Sequence, residues 1–148
     1  DGVVDIYMPD FKVWNPSIAA KWLGAKDYPE VTRSAIAEMH RQVGDLAFDD
    51  AGLAVRGVLV RHLVMPGNLG DTAAILRWLA ETLGTGTYVN VMGQYRPDYR
   101  VVREPGHWPQ LERGITNDEH RRALAAAHAV GLHRMDRRVR RPRPIYVP

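Results

Sequence analysis

The chain has no cysteine among its 148 residues. That excludes a disulfide framework, a thiolate nucleophile, and any zinc or iron–sulfur site ligated by this chain's own thiolates. Serine is nearly as scarce. Ser17 and Ser34 are the two present, both inside helix-like segments, so acyl-transfer chemistry on an exposed serine finds no support. No apolar run approaches the ~20 residues that span a bilayer, and the opening residues carry no signal-peptide pattern. A cysteine-free chain suits the cytoplasm, the location expected here.

Basic charge is scarce too, outside one segment. The net charge is +3, yet Arg134, Arg137, Arg138, Arg140, Arg141 and Arg143 stand together near the end, with Asp136 the one acid among them. The rest carries fourteen basic against sixteen acidic residues, so it is weakly acidic and offers no nucleic-acid surface. The Arg/Pro tail, residues 136–148, reads as a solvated extension able to touch RNA or an acidic partner; residues 1–135 read as one domain. A hydrophobic share of 45% and a charged share of 25% are those of an ordinary globular chain.

Three short apolar runs bounded by Gly or Pro read as buried strands: residues 3–8, 57–65 and 87–93. Helices fall between them. Asn15 followed by Pro16 starts one and Gly24 ends it. A second, about 29–43, carries Val31, Ala35, Ile36, Met39 and Val43 at helical spacing. Asp71 caps a third with Ile75, Leu76, Leu79 and Leu83 on its inner stripe, and Thr116 with Glu119 forms the capping box of a fourth, closed by Gly131. Residues 46–56 read as a small inserted hairpin. Repeated strand–helix units favour parallel pairing, and three units make an α/β half-barrel with open outer edges. The chain opens almost inside a strand, so the expectation is the C-terminal part of a larger barrel.

The chemistry-bearing residues cluster at strand ends. Asp10 and Lys12 follow the run Val4, Ile6, Met8 with a period of two and so point the same way, at the strand end where barrels place ligands. Such a pair holds a carboxylate, a cation or a zwitterion, or else forms a solvent-facing ion pair. Arg61 shares parity with Leu59, Leu63 and Met65, and needs an anionic partner, either a ligand or Asp10 itself. Asn90 and Gln94 share a face with Tyr88 and Met92, as ligand contacts or as an internal hydrogen-bond network. The turn Met65 to Asp71 enters a helix, but Asp71 should occupy the free amides there and repel an anion. The six histidines show no metal-ligand spacing, and the four tryptophans read as packing.

In order and at plausible spacing, the segments DIYMPDFK, DYPEVTRSAIAEMHRQVG, GVLVRHLVMPG and TYVNVMGQYRP resemble the C-terminal half of radical SAM proteins of the pyruvate formate-lyase-activating-enzyme type, especially their uncharacterised iron–sulfur branch. The resemblance covers about residues 1–135. It implies a partial (β/α)6 TIM-like barrel that binds S-adenosylmethionine against a [4Fe–4S] cluster. It also implies an oxidoreductase chemistry in which reductive cleavage gives a deoxyadenosyl radical that abstracts hydrogen, often from a glycyl-radical-type protein partner. By the same resemblance Asp10 and Lys12 match an Asp-x-Lys beside the methionyl and ribose groups, and Arg61 matches the arginine before the Val-x-Pro-Gly turn. Gln94 stands where activating enzymes often carry a histidine. The family's Cys-x3-Cys-x2-Cys loop and the glycine-rich segment after it are absent, so the cluster would belong to a missing N-terminal half and this chain alone would be inactive. Two other readings stay open: a non-redox half-barrel that self-associates and binds a small anion, and a scaffold that contacts RNA through its arginine tail. Neither involves a membrane.

Overall fold

The structure, a computed structural model, describes residues 2–136; the expected tail lies outside the described residues from position 137 on. The fold is mixed α/β, built on an open four-stranded sheet with helices packed on one face. In chain order come β1 (Ile6–Tyr7), α1 (Pro16–Leu23), α2 (Tyr28–Val43), β2 (Ala47–Phe48), β3 (Ala54–Leu63), α3 (Leu69–Thr82), β4 (Tyr88–Met92), a short α4 (Arg100–Arg103), a 3-10 turn at Pro109–Leu111, and α5 (Asn117–Ala129).

β3 is the centre. β1 runs parallel along one edge, with Ile6 opposite Gly57. The other edge takes β2, antiparallel, at the start of β3 and β4, parallel, at its end. Parallel pairing needs helical crossovers, and α3 supplies the one from β3 to β4. After α5 the chain returns to the outer edge of β4, where Met135 forms a parallel bridge to Val89. That edge was expected to be bare, and part of it is covered.

The core lies between the sheet and the helices. Val58, Val60, Val64, Val89, Val91 and Phe11 meet Ile36, Ile75, Leu76, Leu79, Ala123 and Ala127. The opposite sheet face has no second layer of helices among the described residues. Three sequence expectations change as a result. The buried strand 3–8 shortens to Ile6–Tyr7, and Val4, Ile6 and Met8 are 39%, 40% and 56% exposed, because their parity turns them to the uncovered face. Val31 sits on the outer side of α2 and is exposed. α3 begins at Leu69, not Asp71; the carboxylate of Asp71 leaves its own helix and accepts from the amides of Trp14 and Asn15 at 2.7 and 2.9 Å. The caps of α1 and α5 form as expected: Asn15 accepts from Ser17 and Ile18, Gly24 is left-handed at φ 69°, and Thr116 and Glu119 close a reciprocal box. Among the described residues no helix is long and apolar enough to cross a membrane.

Candidate functional site

β1 continues past its formal end as an extended segment. The amide of Arg61 donates to the carbonyl of Pro9 at 2.8 Å, and that of Phe11 to the carbonyl of Arg61 at 2.9 Å. This register puts Asp10 opposite Arg61, and β3–β4 pairing puts Arg61 opposite Asn90. Asp10, Arg61 and Asn90 therefore form one row across three parallel segments, on the face away from the helices. The alternation holds: Phe11 and Val13 are fully buried on the helix side, while Asp10 and Lys12 are half-buried on the other.

Asp10 is the hub. Its Oδ1 accepts from Nε of Arg61 at 2.7 Å, and its Oδ2 pairs with Nζ of Lys12 at 2.9 Å. Burial raises the pKa of the carboxyl, but the hydrogen bonds from Lys12 and Arg61 outweigh it and hold the group below its usual range. One carboxylate between two cations leaves the cluster at +1. Arg61 uses Nε for this pair, so its terminal nitrogens have no partner among the described residues.

Three side chains from other elements fix the backbone beneath this cluster, and sequence pattern singled out none of them for that role. The Tyr28 hydroxyl accepts from the amide of Lys12 at 3.0 Å and donates to the carbonyl of Asp10 at 3.2 Å. His62, buried, places Nδ1 2.7 Å from the carbonyl of Phe11 and Nε2 3.0 Å from the hydroxyl of Thr72. A carbonyl only accepts, so Nδ1 carries the hydrogen; Nε2 faces the Thr72 hydroxyl, which also lies 3.4 Å from the carbonyl of Asn68. Burial keeps the His62 pKa below its ordinary value. Asp71 pins the next two residues, as above. The one signal available for His62 was its parity with Val58, Val60 and Val64, since a histidine on a buried apolar face requires partners.

Beside this row lies a cleft of about 800 Å³ whose walls include Arg61, Asn90, Met92, Gln94 and His120. Asp10 and Lys12 are not on its wall. Of the four expected site residues, the structure joins Asp10, Lys12 and Arg61 by direct ion pairs and brings Gln94 onto the same cleft as Arg61. A smaller surface depression of about 340 Å³, between α1 and the start of α2, has no contact with the strand ends. In the Met65–Asp71 turn the carboxylate that takes up a backbone amide is not that of Asp71. The amide of Gly67 donates to Glu119 at 2.7 Å. That carboxyl lies well below the usual range because Arg113, chiefly, and the amides of Thr116 and Gly67 donate to it against the effect of burial.

Among the described residues no group of three or more His, Cys, Asp or Glu side chains could hold a metal ion. No family model matches the chain, and no solved structure matches it. The chain is similar to an uncharacterized protein of Methanocaldococcus jannaschii, with 32% identity over 132 residues, which is 88% of this chain and 33% of that protein. It thus spans about a third of the length of the curated relative it matches. These findings establish a distant relationship to an uncharacterized protein and leave the radical SAM resemblance resting on the four segments quoted above.

Proposed function

We propose that this chain is the ligand-binding C-terminal half of a radical SAM-like barrel, and that the Asp10–Lys12–Arg61 cluster with Gln94 binds S-adenosylmethionine. The observation that carries this reading is the Asp10-centred row: two cations on one carboxylate, net +1, at the C-terminal ends of parallel strands. A charge-assisted bond from Lys12 or Arg61 suits the methionyl carboxylate, and Asp10 suits the ribose hydroxyls. The residues present do not fit a [4Fe–4S] cluster, because iron–sulfur clusters are held by thiolates and this chain has none. In this reading a cluster would be held elsewhere in a longer protein, and hydrogen abstraction from a protein partner would be that assembly's activity.

Two observations support a complement of that kind. The relative is about three times as long as the segment it shares with this chain. On the open face, beside the charged row, Val4, Ile6 and Met8 are exposed apolar side chains, as expected of a surface that packs against a further layer or a second copy. In this reading residues 1–135 are the barrel half and 136–148 an appended tail.

Binding of S-adenosylmethionine, measured by calorimetry on wild type and Lys12→Ala, tests the proposal. Loss of one charge-assisted hydrogen bond should weaken binding by about 1.5–3 kcal/mol, or roughly 10- to 150-fold. Stability should fall by less than about 1 kcal/mol, since the Lys12–Asp10 pair is partly solvated. Equal affinity in the two proteins removes Lys12 from the site. Binding of small anions in general, with no preference for S-adenosylmethionine, favours the non-redox module.

A further inference from the structure

The cleft contains a group that neither the sequence pattern nor the resemblance assigns. His120 lies in the first turn of α5, and its Nε2 is 3.1 Å from the carbonyl oxygen of Val91. A carbonyl only accepts, so Nε2 carries the hydrogen, and in that tautomer the lone pair is on Nδ1. On β4 the carbonyl of Met92 bonds to β3, while the amide of Val89 bonds outward to Arg134. By alternation the Val91 carbonyl also points outward, and the imidazole caps that edge of the sheet.

Gly93 fixes the ring from the strand side. A Cβ there would stand 3.0 Å from Cγ and Cδ2 of His120 and 3.2 Å from Cε1. The ring is thus wedged between helix and strand, with one nitrogen committed to the backbone. Nδ1 has no partner among the described residues, and neither do the side-chain amides of Asn90 and Gln94 on the same cleft. The contrast with His62 is informative: that ring commits both nitrogens to the protein. A rigid imidazole with one nitrogen committed and the other unspent, on a cleft wall with an arginine, has the layout of a ligand acceptor.

We infer that His120 is the hydrogen-bond acceptor of this cleft. The ligand class is then a small organic carboxylate or zwitterion bearing an N–H or O–H donor, with its carboxylate at Arg61 and its donor on Nδ1 of His120. The inference rests on the anion-site reading above, to which it adds a second contact.

S-adenosylmethionine serves as probe, because it carries a carboxylate together with ammonium and hydroxyl donors. Its affinity is measured on wild type, Arg61→Ala and His120→Gln, with ¹⁵N spectra of the imidazoles in the free and titrated protein. His120→Gln keeps an N–H for the Val91 carbonyl and removes the ring acceptor, so an edge-capping role alone would survive it. The expected result is a neutral Nε2–H ring, an Nδ1 signal that moves with the probe, and affinity lowered roughly three- to tenfold in His120→Gln. An Nδ1–H ring in the free protein, or unchanged affinity in His120→Gln, overturns the inference while leaving the anion site standing. Unchanged affinity in Arg61→Ala, or no binding to wild type, overturns the anion site and the inference with it.

Discussion

Replacing Asp71 with alanine tests how the Asp10–Lys12 segment is held in place. Asp71 is 7% exposed, and a single carboxylate oxygen accepts from two consecutive amides, Trp14 at 2.7 Å and Asn15 at 2.9 Å. Hydrogen bonds to a charged group contribute about 1.5–3 kcal/mol each. Asn15 is exposed and its amide can rehydrate, whereas Trp14 is half-buried, so the total should fall at the low end, about 3 kcal/mol. Asp71→Asn keeps an acceptor oxygen without the charge and should cost about 1 kcal/mol. In urea the midpoint should move with little change in slope, and Tm should drop by about 10 °C for alanine in a chain of this size. Hydrogen exchange gives the local readout: the amides of Trp14 and Asn15 should lose protection before those of β3 and β4. An alanine variant within about 0.5 kcal/mol of wild type, a difference typical of an uninvolved surface site, would refute the reasoning, as would unchanged exchange at Trp14.

Stability should fall with pH in two separate windows. The folded pKa of His62 lies below its ordinary 6.5, so the unfolded chain protonates first. Stability is full above pH 6.5 and declines below it by about 1.4 kcal/mol per unit until the folded pKa is reached. Asp10 and Glu119 also have lowered folded pKa values, against ordinary values of 3.8 and 4.5. Their contribution is present above those values and disappears only in more acidic solution. Denaturation curves at half-unit intervals from about pH 2 to 8 would show both windows, and a flat profile between about 5 and 6.5 would mean that His62 is not buried and neutral. Gly57 has φ +116°, and a Cβ there would lie 2.3 Å from the carbonyl oxygen of Asp45. Gly57→Ala should therefore cost more than the roughly 1–3 kcal/mol of backbone strain alone, and a wild-type urea midpoint would contradict that placement. Anaerobic treatment with iron and sulfide should leave no stoichiometric cluster on this chain, since it has no thiolate; about four irons per chain by metal analysis would overturn that expectation.

Local chemistry determined a good deal of this protein. The caps at Asn15 and Thr116, the stop at Gly24, and the existence of three strands between amphipathic helices follow from short-range rules that need no partner. Period-two alternation was enough to place Asp10 and Lys12 on one side of the chain and Phe11 on the other. Alternation does not say which side is covered. An apolar run such as Val3 to Met8 reads as buried whether or not helices lie on both faces of the sheet, and here one face is open. Tertiary structure also decided where polar side chains spend their hydrogen bonds. Asp71 has the sequence position of a cap, yet it turns away to the Trp14 and Asn15 amides, 57 and 56 residues earlier in the chain. Strand register made His62 a fully committed core histidine, and helix docking left His120 with one nitrogen that has no partner among the described residues. Such partners are set by strand register and helix docking over tens of residues, and local propensity carries no information at that range.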